Sequence, residues 1–142
     1  MFENVWGYVS LIVVTIFTAL VTYALGGWDM VLKILIIMTV VDYITGVLGA
    51  IVNKKLSSKT GFKGIIKKVC LLLMVVVAHQ VDNLLGQQNF FRQVICLFYI
   101  SNEGLSILEN MAGAGVPFPD FLTKLLIQLR DNANDGKGGG NK

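Results

Sequence analysis

The strongest constraint on the fold is an apolar stretch, residues 5–25, that contains no charged side chain. As an α-helix it would be about 31 Å long, which matches the roughly 30 Å hydrocarbon core of a bilayer. Trp6 and Trp28 flank it, as aromatic residues often do at membrane interfaces. The whole chain is only 15% charged, whereas soluble domains carry about 25%. The sequence therefore predicts a helical integral membrane protein and not a soluble enzyme.

A second spanning helix is predicted over residues 30–52. The Gly-Gly pair that precedes it ends the first helix, and Asp29 is placed to cap the N-terminus of the second. Within this segment Lys33 can extend toward the interface, whereas Asp42 lies near the bilayer midplane by residue count. Ionisable residues at that depth are candidates for function.

Two further segments, residues 65–85 and 90–112, are apolar but interrupted by polar side chains. An acidic residue at the centre of a spanning helix costs about 2.5–3.5 kcal/mol on the insertion scale. We therefore expect these segments to insert as a hairpin that shelters or hydrates its polar groups; the alternative is that they lie at the membrane surface. The predicted fold is an all-α integral membrane protein with four transmembrane segments, forming a domain over residues 1–116.

The C-terminal part is predicted to lie outside the bilayer core. Residues 117–132 carry apolar side chains at the spacing of an amphipathic helix, which we expect along the cytoplasmic membrane surface. The glycine-rich residues 133–142 are predicted to form a disordered tail.

The basic residues predict the orientation. Six lysines lie in and beside the loop at residues 53–64: Lys54, Lys55, Lys59, Lys63, Lys67 and Lys68. With four spans, ten basic residues fall on one side and two on the other, so both termini are expected in the cytoplasm. The same lysines would attract anionic membrane lipid. The net charge of +3 is too small to indicate binding of nucleic acid.

Several polar side chains are candidates for a functional role inside the membrane. Asp42, Gly46 and Ala50 share one helix face, where the two small residues allow another helix to approach closely. The candidate pore-lining or intramembrane polar residues are Asp42, His79, Asp82, Asn102, Glu103, Ser106, Glu109 and Asn110. A purely structural hydrogen bond remains an open alternative for Asp42, and a face wetted at the interface remains one for the last two segments.

Counting residues along an antiparallel hairpin predicts two ion pairs near the interfaces, Lys68 with Glu109 and Arg92 with Asp82. The same count brings Asp42 and Glu103 to a similar depth, with His79 one turn further out. These three side chains are expected to form one polar cluster in the middle of the membrane.

Nothing in the sequence indicates catalysis, a metal or a cofactor. The single histidine and two isolated cysteines provide no metal-ligand spacing, and we expect Cys70 and Cys96 to be free thiols. His79 and Asp82 are better interpreted as a hydrogen-bonded pair than as a catalytic dyad.

An ordered set of short motifs runs through about residues 30–130. In chain order they are Asp42-x-x-x-Gly46-x-x-x-Ala50, Ser57-Ser58 with Gly61 and Gly64, Ile66-Lys67-Lys68, Phe98, Asn102-Glu103, Ser106-Ile107-Leu108-Glu109-Asn110 and Gly115-x-Pro117-x-Pro119. Together they resemble the toxin-secretion/phage-lysis holin family.

The resemblance implies a phage or prophage protein that forms homo-oligomers in the bacterial cytoplasmic membrane. Such proteins open holes that release an endolysin to the cell wall, and some relatives export toxins.

Two other functions remain open. One is a small ion channel or transporter subunit in which Asp42, His79 and Glu103 relay ions. The other is a structural or regulatory membrane subunit.

Overall fold

A computed structural model describes residues 2–135, and within this range the chain forms five α-helices and no strand. The helices are α1 (Phe2–Ala24), α2 (Met30–Val52), α3 (Ser58–Leu85), α4 (Phe90–Gly113) and α5 (Asp120–Asp135). The all-helical prediction is confirmed. Most of the predicted tail, residues 136–142, lies outside the described residues.

Within residues 2–135, two helices are long and apolar enough to cross a membrane. They are Asn4–Ala24, which is most of α1, and Met30–Val52, which is α2. Polar and charged side chains lower the hydropathy of α3 and α4, as their sequences indicated. Two of the four predicted spans therefore have support from length and hydropathy, and the other two remain predictions.

The connection between α1 and α2 forms as predicted. Gly26 and Gly27 have φ angles of 81° and 102°, a region that glycine adopts without steric cost. Asp29 is the N-cap of α2, and its carboxylate accepts a hydrogen bond from Leu32 N at 3.0 Å. Local capping rules are sufficient to explain this turn.

Helix α3 begins at Ser58, seven residues before the predicted start at residue 65, so part of the predicted 53–64 loop is helical. The two glycines in this region do not break the helix, because they face α2. A Cβ added at Gly61 would lie 3.4 Å from Tyr43 Oη, and one at Gly64 would lie 3.7 Å from Tyr43 Cε2. These glycines instead allow α3 to pack closely on Tyr43.

Helices α2, α3 and α4 pack together around an apolar core that includes Leu32, Leu35, Leu71, Val75 and Cys96. Helix α1 contacts α3, and none of the residues Asn4–Ala24 is buried.

Helix α5 folds back onto α4, where a Cβ added at Gly104 would lie 2.9 Å from Leu126 Cδ1. The amphipathic helix therefore buries part of its apolar face against the protein as well as being available to the membrane surface.

Candidate functional site

The centre of the bundle contains a buried group of charges that we call the Lys68 layer. It consists of Asp42 on α2, Lys68 on α3 and Glu103 on α4. The ammonium group of Lys68 donates hydrogen bonds to both carboxylates. Asp42 and Glu103 are each only 8% exposed. One cation thus joins three helices, and its positive charge offsets the repulsion between the two carboxylates.

Asn110 extends this layer by two turns of α4. Its side-chain amide lies 3.1 Å from Asp42 Oδ1 and 3.2 Å from Thr45 Oγ1, and it donates to these oxygens. Gly46 makes room for this contact, since a Cβ there would lie 3.5 Å from Asn110 Nδ2. The small-residue face that the sequence predicted for helix packing is therefore used within the chain, by α4.

A second buried group, the Arg92 layer, lies at the other end of the bundle. Arg92 is fully buried, and its guanidinium group forms two bonds to Asp29, at 2.6 Å and 3.0 Å. The same group donates to the backbone carbonyls of Leu25 and Gly27. These contacts hold the α1–α2 connection against α4. The hydrogen bond from Arg92 also keeps the pKa of the Asp29 carboxyl below its usual value of 3.8.

Asp82 completes the Arg92 layer from α3. It is fully buried, and its carboxylate accepts hydrogen bonds from Phe91 N at 2.9 Å and Arg92 N at 2.8 Å. These are orphan N–H groups of the first turn of α4, which an acceptor stabilises. Asp82 thus caps a neighbouring helix. The predicted Arg92–Asp82 contact exists through the backbone, while the guanidinium group pairs with Asp29.

Two further expectations differ from the structure. The predicted Lys68–Glu109 pair is wrong: Lys68 turns toward Asp42 and Glu103, and Glu109 is exposed. His79 lies in the Arg92 layer and not beside the Lys68 layer. A Cβ on Gly26 would lie 2.6 Å from His79 Nδ1, a nitrogen that is buried without a hydrogen-bond partner. Lys68 occupies the place in the central cluster that was expected for His79.

The two layers are separated by the apolar core. Lys68 and Asp82 are 14 positions apart on α3, and Arg92 and Glu103 are 11 positions apart on α4, which corresponds to about 17–21 Å of helix. The core residues Leu35, Val75 and Cys96 lie between these positions and are fully buried. The buried hydroxyls of Thr39 and Ser101, which also lie between the layers, donate to carbonyls of their own helices, Leu35 O and Leu97 O.

A cleft of about 680 Å³ leads from the Lys68 layer toward the end of the bundle where α3 begins. Of the predicted site residues, those that line it are Asp42, Gly46, Ala50, Lys55, Lys63, Lys67, Lys68, Glu103, Ser106 and Asn110. Lys54, Lys59 and Glu109 are exposed elsewhere, and Asn102 is half-buried outside the cleft. The structure therefore gathers most of the predicted polar residues of α2 and α4 around one space.

Comparison of the sequence with known protein families assigns the chain to one of them. The family model described as the bacteriophage holin family matches residues 19–131. The chain belongs to the bacteriophage holin family. The matched region of this holin-family chain includes every residue of both charged layers.

Individual relatives agree with the family. A "probable holin" of Bacillus phage phi105 is 36% identical over 106 residues, which cover 75% of this chain and 78% of the relative. An uncharacterized 14.9 kDa protein of Clostridium perfringens is 42% identical over 130 residues, covering 91% and 98%. An uncharacterized protein of Listeria monocytogenes is 42% identical over 111 residues, covering 78% and 79%. Comparison with solved structures finds no match.

Membership of the holin family, together with the two apolar helices, indicates a non-enzymatic membrane protein. Sequence reasoning missed two features of its buried charges. It counted Lys68 among the basic loop residues, although Lys68 stands directly before the uncharged stretch at residues 69–78. It also treated Asp29 only as a cap. In both cases a charge adjacent to a long apolar segment was the available signal.

Proposed function

We propose that this chain is a holin that oligomerises in the bacterial cytoplasmic membrane and forms holes through which an endolysin, or a toxin as in some relatives, leaves the cytoplasm. The family match supports the holin role. The observation that carries the hole-forming step is the Lys68 layer, in which one protomer buries a cation and two carboxylates among three helices.

A single protomer with this arrangement is suited to a bilayer. Its buried charges are paired, which lowers the cost of keeping them in an apolar environment. Its outer surface exposes large apolar side chains along α1 and α2, such as Phe17 and Ile37. The polar faces of α2, α3 and α4 meet one another, and the apolar core keeps the two charged layers apart. We interpret this protomer as the closed form.

In the proposed open form, assembled protomers turn these polar faces toward a shared, hydrated lumen. Water then replaces the contacts that Lys68 makes with Asp42 and Glu103. Helices α3 and α4 contain 28 and 24 residues, or about 42 Å and 36 Å. Both are long enough to span the membrane, which supports four spans with both termini in the cytoplasm.

Leakage from vesicles loaded with cargo of graded size tests the proposal. We expect purified protein to release a small dye, a large dextran and a folded protein. Replacing Asn102, Glu103 and Ser106 with leucine should abolish this release while leaving insertion intact, because the lumen would lose its polar lining. Gln80→Leu, which removes an exposed polar side chain from α3 and none from the polar face of α4, is the control and should leak normally.

Each outcome decides between functions. Undiminished release by the inserted triple variant would overturn the lining assignment. Passage of ions without dextran or protein would favour the channel alternative. The structure gives no support to a relay through Asp42, His79 and Glu103, because His79 lies in the Arg92 layer and the apolar core separates it from the other two.

A further inference from the structure

The cleft above the Lys68 layer has an excess of positive charge. Four lysines and two carboxylates line it. Both carboxylates, Asp42 and Glu103, are already engaged by Lys68. The remaining three lysines are Lys55, Lys63 and Lys67, all of them exposed, and among the side chains that the structure describes no carboxylate lies within 4.0 Å of their ammonium groups. The mouth of the cleft therefore presents three cations without a partner.

The cleft wall also offers hydroxyl and apolar groups. Ser57 and Thr60 line it beside the lysines, and Ser57 makes no side-chain capping bond to α3. Along α2 the lining includes Val47 and Ala50, with Leu56 in the connection between α2 and α3. Three glycines, Gly46, Gly61 and Gly64, also line the cleft. One wall thus suits a phosphate, and the adjoining wall suits a hydrocarbon chain.

We infer that this cleft binds one anionic phospholipid. The phosphate lies among Lys55, Lys63 and Lys67, and an acyl chain lies along Val47 and Ala50. Basic pockets between helices at a membrane surface recognise anionic headgroups through such charges. The combined polar and apolar lining favours a lipid over free phosphate, which would use only the mouth of the cleft. The inference requires a membrane location but does not depend on hole formation.

Thermal unfolding of the full chain in neutral detergent micelles tests the inference. Micelles would be titrated separately with short-chain phosphatidylglycerol, phosphatidylcholine and inorganic phosphate. We expect only phosphatidylglycerol to raise the unfolding midpoint saturably. Replacing Lys55, Lys63 and Lys67 with glutamine should raise the half-saturating lipid concentration about a hundredfold, since three near-surface cations are lost.

A matched variant separates a site from general attraction. Replacing Lys33, Lys54 and Lys59 with glutamine removes the same charge from exposed positions that do not line the cleft. This control should bind like the wild type, and arginine at the three cleft positions should retain binding. If both glutamine variants bind phosphatidylglycerol equally weakly, the lysines act by general attraction and the cleft is not a binding site. If inorganic phosphate raises the unfolding midpoint as much as phosphatidylglycerol does, the ligand is not a lipid. Lipid binding by a protein that releases no dextran would refute only the proposed function.

Discussion

Arg92 and Asp29 are 63 positions apart in the chain, and they meet in a two-pronged ion pair. The guanidinium Nη1 lies 2.6 Å from one carboxylate oxygen of Asp29, and Nη2 lies 3.0 Å from the other. Asp29 also caps α2, while Arg92 lies in the first turn of α4. One contact therefore sets the position of the α1–α2 connection relative to the α3–α4 hairpin.

Replacing Arg92 with lysine should destabilise the protein by about 2 kcal/mol, because a single ammonium cannot form the parallel bonds to Asp29 and also reach the loop carbonyls. Denaturant unfolding in detergent micelles measures the loss. Gln93→Lys introduces the same side chain at the exposed neighbouring position and should change stability by less than about 0.5 kcal/mol. Equal effects of the two changes would contradict the role of Arg92.

The Asp29 contact also predicts an acid-sensitive contribution to stability. Because the pKa of Asp29 is lowered from 3.8 in the folded protein, its contribution is complete well above that value. It is lost as the pH falls through the lower folded-state pKa. The difference in unfolding midpoint between wild type and Asp29→Asn should be constant from about pH 5 to 7 and shrink below pH 4. A difference that changes mainly between pH 5 and 7 would show that another group is responsible.

Replacing Lys68 with methionine should destabilise the protein by about 3–5 kcal/mol, since two buried carboxylates would lose their shared cation. Neutralising them as well, with Asp42→Asn and Glu103→Gln, should recover much of the loss. Lys67→Met removes an exposed lysine at the preceding position and is the control. Denaturant unfolding in micelles measures all three. If Lys68→Met and Lys67→Met behave alike, the Lys68 layer has no structural importance.

Gly104→Ala should displace α5 from α4, because the added methyl would lie 2.9 Å from Leu126 Cδ1 and 3.1 Å from Met38 Cε. Overpacking of this kind costs about 1–3 kcal/mol. Trypsin should then cut faster at Lys124 and Arg130 within α5. A second change, Leu126→Ala, should restore space for the methyl.

Gly113→Ala is the control for this prediction, since a Cβ there would have nothing within 4 Å. Unchanged cleavage at Lys124 and Arg130 in the Gly104 variant would show that α5 does not rely on this contact.

The fold was predictable where local rules determine it. The charge-free stretch predicted α1, and the Gly-Gly pair with Asp29 predicted the following turn, because capping depends on neighbouring residues alone. The start of α3 was not predictable in this way. Gly61 and Gly64 are typical of loops in isolation, and only the presence of Tyr43 on α2 explains why they belong to a helix.

The buried site was predictable only in part. Residue counting brought Asp42 and Glu103 to a similar depth but assigned Lys68 to a different partner. Counting treats a side chain as though it lay at the level of its Cα, whereas a lysine can extend several ångströms along an apolar surface. Similarly, the amphipathic pattern of α5 predicted a buried face but not that α4 would cover part of it.

The loose attachment of α1 divides the chain into a packed bundle and an appended helix. None of the residues Asn4–Ala24 is buried, and the family match begins at residue 19, within the last two turns of α1. The contacts that define the bundle are all made by later residues. We therefore expect the first three quarters of α1 to tolerate substitution as long as the length and hydropathy of the helix are kept.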